Sequence, residues 1–212
     1  MRSFLLQLLV FSAFIFTAGC STRKADQSPD AQTTVREVQN AYFSDSSQEY
    51  FYRADIEVYG NTLSGVLIIK KTAENHHRIV ITGDFGNKMF DAEISGNQFK
   101  INYIVPKLNR SVVKKVLEKD FKILVREHYA AKLTSQDENR LVYDSKNNRE
   151  GYRLFYEMGT GLLSQIIVTE NGRAQSIFKF EAKYPIFADR IEIVHQDIQL
   201  KINLHSIEAI SM

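Results

Sequence analysis

The chain has a single cysteine, no tryptophan and almost no net charge. Because Cys20 is the only thiol, the protein can form no internal disulfide, and zinc sites that need several thiolates are excluded. The 27 basic residues nearly balance the 25 acidic ones, which gives no argument for a nucleic-acid partner. Beyond the first twenty residues, no apolar run is long enough to form a transmembrane helix.

Motifs of common enzymes are also missing. The sequence contains no Gly-x-Ser-x-Gly nucleophile motif, no P-loop and no dinucleotide fingerprint. Five histidines are scattered over the chain, and the adjacent pair His76 and His77 would point to opposite faces of a strand. The sequence therefore predicts no catalytic residue, no metal site and no cofactor. A hydrolase is the least favoured function.

The first twenty residues have the pattern of an export signal. Arg2 is followed by an apolar segment over residues 4–16 and then by Thr17-Ala18-Gly19-Cys20. Roughly a dozen apolar residues are too few to cross a bilayer of about 30 Å. The small residues before the cysteine resemble the lipobox of bacterial lipoproteins. We therefore predict a signal peptide over residues 1–19 and a diacylglycerol on Cys20, with an ordinary secretory signal as the alternative.

Polar residues follow, and they predict a flexible tether over residues 20–33. The remaining residues 34–212 are enough for one domain. This domain is predicted to open with a helix over residues 34–43. Thr34 and Glu37 have the spacing of a capping box, and Val35, Val38 and Tyr42 would share one helical face.

Apolar residues then alternate with a period of two, which indicates β-strands. Tight turns such as Gly60-Asn61 and Gly96-Asn97 predict an antiparallel meander. Five strands are predicted over residues 50–58, 62–71, 75–84, 88–95 and 98–104. Six more are predicted over residues 140–144, 152–158, 162–170, 173–184, 190–195 and 199–207.

Residues 110–127 interrupt the strands and have helical spacing of their apolar side chains, with Asn109 or Ser111 as the N-cap. A two-residue period also fits Phe121, Ile123 and Val125, which leaves the second half open. The basic residues of this segment are interpreted as the solvated side of the helix. Contact with anionic headgroups is the alternative.

The fold class predicted is mainly β, with one curved antiparallel sheet of about eleven strands that forms an incomplete barrel. One or two helices would act as a lid, because so many twisted strands curl and leave a concave apolar face. Two helices of this size should leave an apolar groove. The residues expected to line it are Ile79, Ile81, Phe90, Ile94, Phe99, Ile101, Tyr103, Tyr156, Phe178 and Phe180.

Three features resemble the LolA/LolB group of bacterial lipoprotein carriers. They are the strand-turn-strand around Ile79-Val80-Ile81-Thr82-Gly83-Asp84-Phe85-Gly86, the helical insertion after the fifth strand, and the hairpin that begins at Pro185-Ile186-Phe187-Ala188-Asp189-Arg190. The resemblance implies an incomplete barrel with a helical lid over a cavity for acyl chains. The lipobox makes the chain similar to the anchored receptor LolB.

The resemblance also implies roles for two further residues. Phe85 stands before Gly86 where LolB carries a protruding apolar residue, so it is expected to project and assist acyl transfer. The alternative is that Phe85 folds back onto the hairpin. Ser21, directly after the cysteine, implies sorting to the outer membrane.

These observations predict an outer-membrane lipoprotein that faces the periplasm and binds the acyl chains of lipoproteins or lipids as a receptor or carrier. A periplasmic carrier protein would be a further partner. The alternative is a non-catalytic envelope scaffold or assembly lipoprotein, with the sheet fully packed and a surface that recruits a partner protein. An empty apolar space of several hundred cubic ångströms would favour the carrier.

Overall fold

A computed structural model describes residues 34–147 and 149–207 of the protein. The predicted signal peptide, the tether and the lipidation of Cys20 lie outside the described residues. Thirteen strands and one helix form the described part. Their bounds are β1 Arg36–Gln39, β2 Glu49–Val58, β3 Asn61–Ala73, β4 His76–Gly83, β5 Lys88–Ser95, β6 Gln98–Ile104, α1 Ser111–Leu124, β7 His128–Gln136, β8 Arg140–Asn147, β9 Glu150–Glu157, β10 Leu163–Glu170, β11 Arg173–Tyr184, β12 Phe187–His195 and β13 Leu200–Ser206.

All thirteen strands belong to one antiparallel sheet. Their order is β1-β7-β8-β9-β10-β11-β12-β13-β2-β3-β4-β5-β6, so hairpin neighbours pair throughout except where β1 joins β7 and β13 joins β2. The edge strands β1 and β6 do not pair with each other. The sheet is therefore an incomplete barrel, as predicted.

The alternating pattern of the sequence fixes which face of the sheet is buried. In β2, for example, Tyr50, Tyr52, Ala54, Ile56 and Val58 are buried, while the residues between them are partly or fully exposed. Side chains alternate between the two faces of a strand, so each strand contributes one apolar row to the inner face.

The helix α1 covers this inner face with its own apolar side. Val113, Leu117, Phe121 and Leu124 recur every three or four residues and are all buried. The ring of Phe121 packs 5.6 Å from that of Phe90 in β5, centroid to centroid. The helix predicted over residues 110–127 is therefore confirmed as one continuous helix. Its N-cap is Arg110, and no side chain caps it, contrary to the prediction.

The outer face carries charged pairs. The Asp91 carboxylate accepts hydrogen bonds from Arg78 at 3.0 Å and from Lys88 at 2.8 Å. These bonds, with that of Arg78 the larger cause, lower the pKa of Asp91 to about 2. Asp91 therefore stays ionised at neutral pH and belongs to the polar side of the sheet.

The helix predicted over residues 34–43 is wrong. Residues Arg36–Gln39 form the edge strand β1, which pairs with His128–Ala131 of β7. A helix of ten residues is marginal on its own, whereas the free edge of β7 offers backbone hydrogen bonds. Val35, which the predicted helix would bury, is exposed.

The sequence also underestimated the number of strands. The first segment is a strand rather than a helix, and β7 was not predicted, which together raise the count from about eleven to thirteen. Tyr129 and Ala131 in β7 do point inward. However, Ala130 and Ala131 are weak strand formers, so the alternation around them is difficult to recognise.

Candidate functional site

The inner face of the incomplete barrel is the candidate site, and most residues predicted to line it lie there. Seven are buried in the common apolar core and two more, in β6, pack against it partly exposed. The buried ones are Ile79, Ile81, Phe90, Ile94, Tyr156, Phe178 and Phe180, and the partly exposed ones are Phe99 and Ile101. The sequence pattern therefore located the apolar rows of strands that are distant in the chain.

Tyr103 does not share this face, which corrects the prediction. The pairing of β5 with β6 shifts between Asp91 and Ala92, so that Asp91 pairs with Tyr103 while Ala92 pairs with Ile101. Such a bulge leaves one extra residue, Asn102, whose amide donates to Glu93 on the outer face. Tyr103 pairs with the outward-facing Asp91 and is 45% exposed.

A short segment after β1 fills part of the inner face, at the place where the sequence predicted the end of the first helix. We call residues 40–43 the plug segment. Tyr42 stacks on Phe180 with ring centroids 5.0 Å apart, and its hydroxyl donates to the Leu163 carbonyl at 2.7 Å. Phe43 is fully buried against Tyr50, with ring centroids 5.1 Å apart. The plug segment therefore supplies two large aromatic rings to the core.

Polar contacts hold the plug segment in place. The Asn40 side-chain amide donates to the carbonyls of Leu124 and Arg126, each at 3.2 Å, and so satisfies the C-terminal end of α1. The buried His77 ring donates to the Phe43 carbonyl at 3.2 Å. Burial lowers the pKa of His77, which keeps this ring neutral.

The plug segment therefore occupies part of the apolar groove that the sequence predicted. One cavity of about 440 Å³ lies beside Tyr42 and Phe180, at the β7–β8 and β9–β10 turns. A larger one of about 710 Å³ lies beside α1 and is lined mainly by polar and charged residues. Both cavities reach the edge of the core, at Phe180 and at Ile94 and Ile123, so a long acyl chain could extend further over the inner face only if α1 or the plug segment moved.

A buried ion pair connects α1 to the sheet. Asp120 lies within the apolar side of the helix and is 1% exposed. Its Oδ1 is 3.0 Å from Nε2 of His195 in β12, whose Nδ1 donates to the Leu200 carbonyl at 2.9 Å. The second oxygen, Oδ2, has no hydrogen-bond partner.

The pKa values of this pair are both raised. Burial raises the pKa of Asp120, and the bond to His195 only partly offsets this. Burial lowers the pKa of His195, but the hydrogen bond and the charge of Asp120 outweigh it, so the net shift is upward. The pair was not predicted, although an acidic residue within an apolar helical stripe was a usable signal.

Phe85 projects from the β4–β5 turn and is 98% exposed. It does not fold back onto the hairpin. Gly86 beside it has a φ of 75°, which favours glycine at this turn position. An ion pair of 2.7 Å between Asp84 and Arg53 anchors the same turn to β2. The phenyl ring is thus held in solvent by a well-connected turn.

The described residues offer little for metal chemistry or membrane crossing. Between residues 34 and 207, apart from position 148, no group of three or more His, Cys, Asp or Glu is placed to hold a metal ion. Over the same range, no helix is both long and apolar enough to span a bilayer.

Comparison with solved structures identifies the fold. A LolA superfamily protein from Nitrosomonas europaea superimposes with a TM-score of 0.53 and 10% sequence identity, over 76% of this chain and 84% of that one. A lipoprotein-sorting protein domain of the outer membrane from Vibrio parahaemolyticus gives a TM-score of 0.50 and 7% identity, over 76% and 83%. No protein-family model and no curated protein matches the chain.

The chain therefore has the fold of these two solved structures. The sheet is an incomplete antiparallel barrel, and a single helix covers its inner face in the described residues. This confirms the fold that the sequence resemblance implied. Identities of 10% and 7% establish the fold alone.

Proposed function

We propose that the protein is a lipid-anchored receptor or carrier that binds the acyl chains of lipoproteins or lipids on the inner face of its incomplete barrel. The observation that supports this most directly is the construction of the core. The inner face of a thirteen-stranded sheet is covered by one helix and a four-residue plug segment. Because the helix and the plug segment are small, a hydrocarbon chain could displace part of them and take their place on the inner face.

Burial of apolar surface would drive binding without catalysis. Each buried methylene contributes about 0.8 kcal/mol, so a long acyl chain can offset the contacts of the covers that it displaces. The lipobox and Ser21 support anchoring in the outer membrane with the domain in the periplasm. The Vibrio parahaemolyticus domain, which carries a lipoprotein-sorting name, supports a role in the localisation of lipoproteins.

The test compares two peptides of one sequence, with and without an N-terminal palmitoyl group. The mature chain carrying Cys20→Ala is heated with each peptide at a concentration far above its dissociation constant. A ligand that binds only the folded state raises the free energy of unfolding by about 2.7 kcal/mol when its concentration is a hundred times its dissociation constant. We expect the melting temperature to rise only with the palmitoyl peptide, and no rise with either peptide would contradict the proposal.

Phe85 provides a second arm of the same test. We expect Phe85→Ser to leave stability unchanged, because the ring makes no core contact, and to slow release of the palmitoyl peptide to phospholipid vesicles. Tyr184→Ser is the matched control, because Tyr184 is 65% exposed and ends β11 at the opposite end of the strands. Equal release rates for both variants and the wild type would exclude a role of Phe85 in transfer.

The filled interior favours one alternative, an envelope scaffold that recruits a partner protein. A scaffold would keep its packing in the presence of lipid. It would then show no stabilisation by the palmitoyl peptide, even in a variant whose plug segment is weakened.

A further inference from the structure

The larger cavity, of about 710 Å³, has a basic wall formed by one side of α1. Lys115, Lys119 and Lys122 line it, followed by Arg126 just beyond the helix. Spacings of four and three residues place the three lysines along a single helical face, and Arg126 follows directly after the helix ends. The basic residues of this segment are therefore not distributed at random around the helix, but converge on one cavity.

Carboxylates in the same wall do not neutralise all of these cations. Glu118 pairs with Lys122 at 2.6 Å. Glu150 pairs with Lys119 at 3.0 Å, and Glu170 lies 3.8 Å from the same ammonium. Glu127 pairs with Lys71 at 2.6 Å.

Lys115 and Arg126 remain, and neither has a carboxylate within 4.0 Å in the described part of the chain. Both line the cavity, so its wall carries an excess of positive charge. An anion entering the cavity would therefore meet two cations that have no carboxylate within ion-pair distance.

Arg126 is held in a fixed position. Its guanidinium carbon lies 4.3 Å from the ring centroid of Tyr129 and 5.1 Å from that of Tyr152. Its Nε donates to the His128 carbonyl at 3.0 Å. A guanidinium oriented in this way can present its terminal nitrogens to a planar or tetrahedral oxyanion.

The cavity also borders the apolar core. Ile94 of β5 and Ile123 of α1 belong to the core and line the cavity at the same time. Lys122 lies 6.0 Å from the ring centroid of the partly exposed Phe99. An occupant with an anionic end and a hydrocarbon end would thus find a matching surface for each.

We propose that this cavity binds the phosphate headgroup of an anionic amphiphile, with Arg126 contacting the phosphate, Lys115 adding positive charge at the other end of the basic wall, and Ile94 and Ile123 contacting the start of the hydrocarbon chain. The proposal rests on the acyl-binding function and adds the headgroup that this function selects. A phospholipid and free phosphate share the chemistry, and the test separates these sources.

The test uses the mature chain with Cys20→Ala and three probes: lysophosphatidic acid, a monoacylglycerol with the same acyl chain, and inorganic phosphate. We expect lysophosphatidic acid to bind about tenfold more tightly than the monoacylglycerol, and increasing salt to reduce this preference. Lys115→Gln and Arg126→Gln, singly and together, should reduce the preference. Lys114→Gln removes a neighbouring helical charge that does not line the cavity and should leave the preference unchanged.

The outcomes distinguish this headgroup site from the acyl-binding function on which it rests. Equal affinity for the two lipids would overturn the headgroup site and leave acyl binding intact. No binding of either lipid would overturn both. Inorganic phosphate binding as tightly as lysophosphatidic acid would overturn the lipid as the source of the phosphate. Lys115 is exposed, so Lys115→Gln keeps the test valid even if the Arg126 variant unfolds.

Discussion

At the scale of single residues, the pair of Asp120 and His195 makes stability depend on pH. Both pKa values are raised in the folded protein, so this pair binds protons more strongly in the folded state than in the unfolded chain. The stability that this pair contributes should therefore fall as the pH rises. The stability that His195 contributes is fully present below pH 6.5, its ordinary pKa, and is lost as the pH passes through the raised pKa of the folded protein.

Two substitutions should affect this pair differently. His195→Ala leaves the Asp120 carboxylate buried without a partner, and removing one member of a buried pair costs about 3–5 kcal/mol. Asp120→Asn removes the buried charge and keeps a polar group beside the ring, so it should cost less and flatten the dependence of stability on pH between 6 and 8.5. Chemical denaturation at several pH values measures both effects. The exposed His76→Gln is the control, and a wild-type profile without slope would contradict the assignment.

A glycine in β3 is a second residue whose size matters. A Cβ atom at Gly65 would lie 1.9 Å from the Thr82 carbonyl oxygen, which belongs to the backbone of β4 and cannot move aside. We expect Gly65→Ala to destabilise the fold by about 1–3 kcal/mol, as overpacking generally does. In Gly159→Ala, no atom lies within 4 Å of the added carbon, so this substitution should leave the stability of the fold almost unchanged. Thermal denaturation of both variants measures the difference.

At the scale of elements, the plug segment links stability to access. Tyr42→Ala removes a buried ring from the core, and loss of an aromatic side chain costs about 3 kcal/mol or more. It also vacates space beside Phe180 and the smaller cavity. We therefore expect this variant to be less stable than the wild type and yet to bind a fluorescent fatty acid more tightly.

The control for that experiment is Tyr184→Ala, which removes an exposed tyrosine and should change neither quantity. Weaker fatty-acid binding by a Tyr42→Ala protein that remains folded would show that the ring contributes to the acyl site. The plug segment would then not be a cover.

The elements also show what sequence patterns can and cannot establish. Period-two alternation located β5, β6 and β11 with their observed bounds and β2 to within one residue, because side chains on a half-buried sheet must alternate. The plug segment was missed, because its aromatic residues gain their burial from Phe180 and Tyr50, which are distant in sequence.

The candidate site was predictable only in part for the same reason. A row such as Phe90, Ala92 and Ile94 follows from local alternation, whereas Tyr103 was placed on the wrong face. A bulge depends on the pairing of β5 with β6, and one extra residue reverses every side chain beyond it. Whether the inner face is open or filled depends on contacts between residues that are distant in sequence, and a local sequence pattern cannot predict these contacts.

At the scale of the whole molecule, the predicted anchor decides where the domain works. Several acyl chains on one cysteine bind a membrane firmly, whereas a single chain binds only reversibly. We therefore expect the wild-type protein to sediment with the outer membrane and Cys20→Ala to appear in the soluble periplasmic fraction.

Ser21→Asp should instead keep the lipidated protein in the inner membrane, because the residue after the cysteine is expected to direct sorting. Fractionation with mass spectrometry of the N-terminal peptide measures both location and acylation. An unmodified N-terminus in the membrane fraction would mean that another part of the chain provides the attachment, and the domain would then need a different explanation for its access to lipid cargo.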